Sequence, residues 1–91
     1  MTGADRIRAE LSRAAEALGA PGDVDVILER PRDPAFGDWT TNLAMTLARA
    51  LKQKPREIAD RLVAEMQLAD AGVRAAEIAG AGFINFRLDP A

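Results

Sequence analysis

Two absences narrow the chemistry first. The 91 residues contain no cysteine and no histidine. Without them there are no disulfides, no usual zinc or transition-metal site, and neither a Ser-His nor a Cys-His catalytic pair. No apolar run is long enough to cross a bilayer as a helix. The opening Met1-Thr2-Gly3-Ala4-Asp5 lacks the basic and then apolar segments of a signal peptide, so a cytoplasmic chain with no membrane partner is expected. Charge of one sign is also scarce: a net −2 gives no general attraction to phosphate, and any nucleic-acid binding must be local. What remains is enough for one core, and a single domain over residues 1–91 is expected.

The apolar pattern lays out the elements. Ile7, Leu11, Ala14 and Leu18 recur at helical spacing, with Asp5, Arg6, Arg8, Glu10, Arg13 and Glu16 on the other side. Thr2 or Asp5 would cap this first helix, and Gly19 and Pro21 would stop it before a turn at Pro21-Gly22. Val24–Glu29 is rich in β-branched residues and predicts a strand with Val24, Val26 and Leu28 on one face. Two prolines and a glycine make residues 30–39 an ordered loop with room for a short strand. Asp38, Thr40 and Thr41 are candidate caps for a second helix carrying Leu43, Ala44, Leu47, Ala48 and Leu51. Pro55 starts a third, with Ile58, Ala59, Leu62, Val63 and Met66 inward and Glu57 and Arg61 spaced to pair. After the break at Asp70-Ala71-Gly72, Val73–Ile78 reads as a weak strand pairing with the last one.

That last strand organises the chain. From Phe83 onward, alternation puts Ile84, Phe86 and Leu88 on a core face and Phe83, Asn85 and Arg87 on the opposite face. In a hairpin, Ala76 and Ile78 turn inward while Ala75 and Glu77 share the outer face with Asn85. The expected architecture is a small two-layer α+β domain, about three helices on one face of an antiparallel sheet of three to four strands, the other face open. An aromatic ring beside an amide and a guanidinium suits a sheet that stacks an unpaired base and reads its edge; a single exposed Phe is equally ordinary surface.

Two other stretches carry the same double reading. Phe36-Gly37-Asp38-Trp39-Thr40-Thr41-Asn42 is a helix start with aromatics closing the end of the core, or part of a site. Arg49, Lys52, Lys54 and Arg56 form a solvated basic corner or a phosphate contact.

In order, Glu29-Arg30-Pro31, Gly37-Asp38-Trp39-Thr40-Thr41-Asn42, Leu43-Ala44-Met45, Lys54-Pro55-Arg56-Glu57-Ile58-Ala59, Glu77-Ile78-Ala79-Gly80 and Gly82-Phe83-Ile84-Asn85-Phe86 give a chain that resembles the N-terminal additional domain of arginyl-tRNA synthetases. The likeness covers nearly the whole chain; it departs at Ala81, where the family often has proline, and at Trp39, where it commonly has tyrosine. The resemblance implies a non-catalytic domain at the outer corner of an arginine-accepting tRNA, with Phe83 stacking on a D-loop base and Asn85 bonding its edge. Arg87, Lys52, Lys54 and Arg56 would support the phosphates and Glu77 would orient the Asn85 amide. The catalytic His-Ile-Gly-His signature is impossible without histidine, and no Lys-Met-Ser-Lys run exists. The chain is therefore expected to be no enzyme and to need no cofactor, ATP being used by a parent ligase whose catalytic body would lie in cis. Fragment and free-standing relative both remain open. A protein-interaction module on the same face is the second reading. An acylphosphatase-like enzyme would need an anion-binding loop that is not there.

Overall fold

A computed structural model of the chain describes residues 3–20 and 24–89. Six elements carry the core: helix α1 (Gly3–Ala17), strand β1 (Trp39–Thr41), helices α2 (Leu43–Leu51) and α3 (Pro55–Glu65), and strands β2 (Val73–Ala79) and β3 (Phe83–Leu88), with a 3-10 turn at Pro34–Phe36. The sheet is antiparallel in the order β1-β3-β2, so the last strand is central. The α+β architecture follows the apolar pattern closely. Ile7, Leu11 and Ala14 of α1, Leu43 and Leu47 of α2, and Ile58, Ala59 and Leu62 of α3 are buried in one cluster with Ile84 and Phe86. Ala48, Leu51, Val63 and Leu88 are half-buried at its margin.

The hairpin register is the one alternation implies: Ala76 faces Phe86, Glu77 faces Asn85 and Ile78 faces Ile84. Its turn is fixed against the helix layer. Gly82 has φ +141°, and a Cβ there would lie 2.8 Å from Pro55 Cβ, so only glycine lets the turn seat on the first residue of α3. Arg56 Nη1 also donates to the Gly80 carbonyl at 2.6 Å.

Three local expectations are corrected. The stretch from Val24 is not a strand: only Glu29 pairs, as a bridge to Thr40 with both backbone hydrogen bonds. The inward alternation survives, with Leu28 buried and Ile27 exposed. In an antiparallel ladder the next bonded pair would be Ile27 with Asn42. Asn42 has already turned to ψ 18° as the N-cap of α2, and the Thr41 hydroxyl donates to the Ile27 carbonyl at 2.9 Å instead. The same hydroxyl accepts the Leu43 N–H at 3.2 Å, so of the candidate caps only Thr41 serves the helix. Asp38 instead reaches across 50 residues of chain to accept the Leu88 N–H at 2.7 Å. Arg61 donates to Gln53 at 2.8 Å, and no ion pair with Glu57 is found among the described residues. The Thr2 cap and the Pro21-Gly22 turn lie outside the described residues.

Midway along α1, Glu10 accepts from Arg13 at 3.0 Å and from the Gln67 N–H at 2.7 Å. The arginine first, then that backbone donor, hold its carboxyl below the usual carboxylate range. A lowered folded-state value means this tie is intact at neutral pH and is lost as pH falls through it.

Candidate functional site

Phe83, Asn85 and Arg87 do lie on the sheet face opposite the helices, but that face is not open. The segment from Glu29 to Asp38 folds across its β1 side. Asn85 is consequently only 7% exposed, whereas Phe83 keeps 43%. Between loop and sheet runs a groove of about 420 Å³ lined by Glu29, Arg30, Pro31, Arg32, Phe36, Thr40, Ala79, Phe83 and Asn85. A smaller recess adjoins it, bounded by Ile27, Thr41, Asn42 and again Phe83. Ile27, Phe36 and Phe83 are the large hydrophobic side chains left exposed among the described residues, and all three border these two hollows.

The loop is held by backbone geometry. Gly37 has φ +109°, and a Cβ there would meet the Phe86 carbonyl oxygen at 2.7 Å. The next residue donates its N–H to that same oxygen at 2.8 Å. Asp33 caps the 3-10 turn by accepting the Ala35 N–H at 2.9 Å, which presents Phe36 to the groove. Arg30 places its guanidinium 4.1 Å from the centre of the Trp39 ring and donates to the Asp38 carbonyl at 3.3 Å. Trp39 packs half-buried on the core under this cation, so the structural reading of the tryptophan holds.

The expected site residues fall into three sets. Phe83 and Asn85 meet in the groove. The Asn85 amide has no hydrogen-bond partner among the described residues, although the side chain is over nine-tenths buried, and its polar atoms are not sealed off. Reached by solvent from the groove, the amide can exchange water for the hydrogen bonds of a ligand. Arg87 and Glu77 form a second set on the neighbouring surface. Glu77 is the cross-strand partner of Asn85, but its carboxylate is turned to Arg87, with Oε1 3.8 Å from Nε. Arg87 also donates to the Ala35 carbonyl, tying strand to loop.

The third set is the α2–α3 junction. Lys52 ends α2 in the left-handed region at φ 52°, Lys54 is the N-cap of α3, and both are exposed. Arg56 spends one donor on Gly80. Seating of the hairpin turn on Pro55 brings this corner to the end of β3 where Phe83 begins. Arg30 and Arg32 escaped the sequence reading as groove residues because they sit in a proline-rich loop without periodicity, while Phe36, weighed there as core closure or part of a site, is 52% exposed at the groove.

Fold and groove together define a small two-layer α+β domain that presents an aromatic and an unpaired amide from its central strand. Residues 4–88 match the family described as the arginyl tRNA synthetase N terminal domain, and the chain belongs to that family. It is 57% identical over 75 residues to the arginine–tRNA ligase of Dechloromonas aromatica, covering 82% of this chain and 13% of that protein. The arginine–tRNA ligase of Thiobacillus denitrificans is 47% identical over 87 residues, covering 96% of this chain and 15% of that protein. Among solved structures, Thermus thermophilus arginyl-tRNA synthetase superposes with a TM-score of 0.74 at 28% identity, over 90% of this chain and 13% of that one. The chain thus spans about a seventh of the relatives it matches.

Proposed function

We propose that this chain is the tRNA-contacting domain of an arginine–tRNA ligase acting in cytoplasmic protein synthesis, reading the D-loop at the outer corner of the tRNA. The observation that carries the reading is Asn85, a residue largely buried beside an exposed Phe83 whose amide has no internal partner and stays accessible from the groove. A base stacked on Phe83 would present its edge to that amide, with Lys52, Lys54 and Arg56 near the start of β3 and Arg87 toward its other end to support the phosphates. Catalysis and ATP use belong to the rest of the ligase, which lies in cis.

The deciding experiment compares tRNA with a native D-loop and tRNA with that base substituted. Phe83→Ala is expected to weaken binding of the native tRNA by ~1–3 kcal/mol, the usual loss for one stacked base. Asn85→Ala should shrink the difference between the two RNAs by ~1–3 kcal/mol, by analogy with base-edge contacts in grooves. It should leave stability nearly unchanged, because no protein group loses a partner. Lys54→Ala should weaken both RNAs equally and lower the salt slope by about one. Equal loss for both RNAs on Asn85→Ala, with affinity indifferent to salt, would favour docking of a protein on this face instead.

A second prediction follows from the missing nucleotide-binding residues. The chain mixed with arginine, ATP and tRNA should form no charged tRNA, scored by incorporation of labelled arginine. Charging by a homogeneous preparation would overturn the assignment of catalysis to the remainder of the ligase.

A further inference from the structure

Resting on the tRNA-binding reading, we propose that the contacted base is not laid on Phe83 alone but inserted between Phe83 and Phe36, with Arg32 on an adjoining phosphate. Phe36 is 52% exposed and Phe83 43%, and both rings line the one groove. They come from different layers of the wall: Phe83 from the central strand, Phe36 from a 3-10 turn that Asp33 and Gly37 hold over it. A loop whose function was only to cover the sheet would bury its aromatic; this one leaves the ring facing the hollow. Asn85 lines the same groove, and its amide, without an internal partner, suits a ligand with donors and acceptors on one edge.

Charge at the groove fits a nucleotide. Arg30 and Arg32 line it against one carboxylate, Glu29. Arg30 is committed to Trp39 and the Asp38 carbonyl. Arg32 has no hydrogen bond or ion pair among the described residues, so its guanidinium is available to a phosphate. A purely apolar partner would leave both Asn85 and Arg32 unmatched.

The test uses the 91-residue chain with tRNA transcripts in which each unpaired D-loop nucleotide in turn is made abasic, at low salt. Phe36→Ala should weaken the intact transcript about 5- to 150-fold, comparable with Phe83→Ala and equivalent to one stacked face. Phe36→Tyr should restore most of the loss. One abasic transcript should silence both alanine variants, and Arg32→Gln should lower the salt slope by about one. Because Arg30 links the groove to the single tryptophan, binding should also change Trp39 emission, giving a readout independent of affinity. If Phe83→Ala weakens binding and Phe36→Ala changes it less than twofold, the insertion is overturned while the tRNA reading stands. If two different abasic positions silence the two rings, they hold separate bases and the insertion is again overturned. Absence of tRNA binding by the wild-type chain up to millimolar concentration would overturn both.

Discussion

Phe86→Ala is expected to remove roughly 3–5 kcal/mol of folding free energy, leaving a large part of the population unfolded at room temperature. Phe86 is fully buried and the largest side chain among the completely inaccessible ones. It sits on the central strand, flanked across the sheet by Trp39 on one side and Ala76 on the other. Truncation leaves a cavity facing α2 and α3, whose Leu43, Leu47, Ile58 and Leu62 are themselves fully buried and cannot follow it inward without losing their own contacts. The control is three residues away. Phe83→Ala removes the same atoms from the opposite face, where nearly half the ring is already in water, and should cost within about 0.5 kcal/mol. Urea unfolding of the two variants side by side gives the answer. A Phe86→Ala chain as stable as wild type, or a reversal of the two effects, would mean the strand faces the other way.

That contrast also shows what the sequence could and could not disclose. Facing of β3 was legible because a two-residue period is a local property, and one buried face fixes the register of the whole hairpin. The helices were legible for the same reason at their own period. Asn85 was correctly placed on the outer face but not recognised as buried, because what covers it is a loop some 50 positions earlier. Nothing in Arg32-Asp33-Pro34-Ala35-Phe36 announces that Arg87 will donate to the Ala35 carbonyl or that Leu88 will find the Asp38 carboxylate. The strand expected from Val24 failed on a similar point. Its residue types and alternation were right, but its neighbour β1 has only three residues before Asn42 turns into α2, so the ladder runs out after one bridge. Propensity describes what a segment can do; the partner edge decides whether it does.

The second large effect is expected at Gly37. At φ +109° and ψ −164° its backbone occupies a region essentially reserved for glycine, and holding alanine there costs about 1–3 kcal/mol. The added Cβ would also lie 2.7 Å from the Phe86 carbonyl oxygen and 3.2 Å from its carbon. Relief by withdrawing the loop is blocked on the adjacent residue, since the Asp38 N–H donates to that same oxygen at 2.8 Å and its carboxylate accepts the Leu88 N–H at 2.7 Å. Overpacking of this kind adds about 1–3 kcal/mol, or else the two Asp38 bonds break. Either route detaches the loop from β3 at the residue next to Phe36. Gly37→Ala should therefore lower stability and also dismantle the loop wall of the groove, while β2, β3 and the turn seated on Pro55 keep their pairing. Hydrogen exchange separates the two consequences. Below the unfolding transition, amides of the β2–β3 hairpin should stay protected while those of Asp38 and Leu88 exchange faster, Trp39 emission shifts as Arg30 moves, and tRNA affinity drops although Phe83 and Asn85 are untouched. Uniform loss of protection across the sheet would make Gly37 a plain stability residue. Unchanged stability would show that the loop does not approach Phe86, and the covered floor of the groove at Asn85 would have to be abandoned with it.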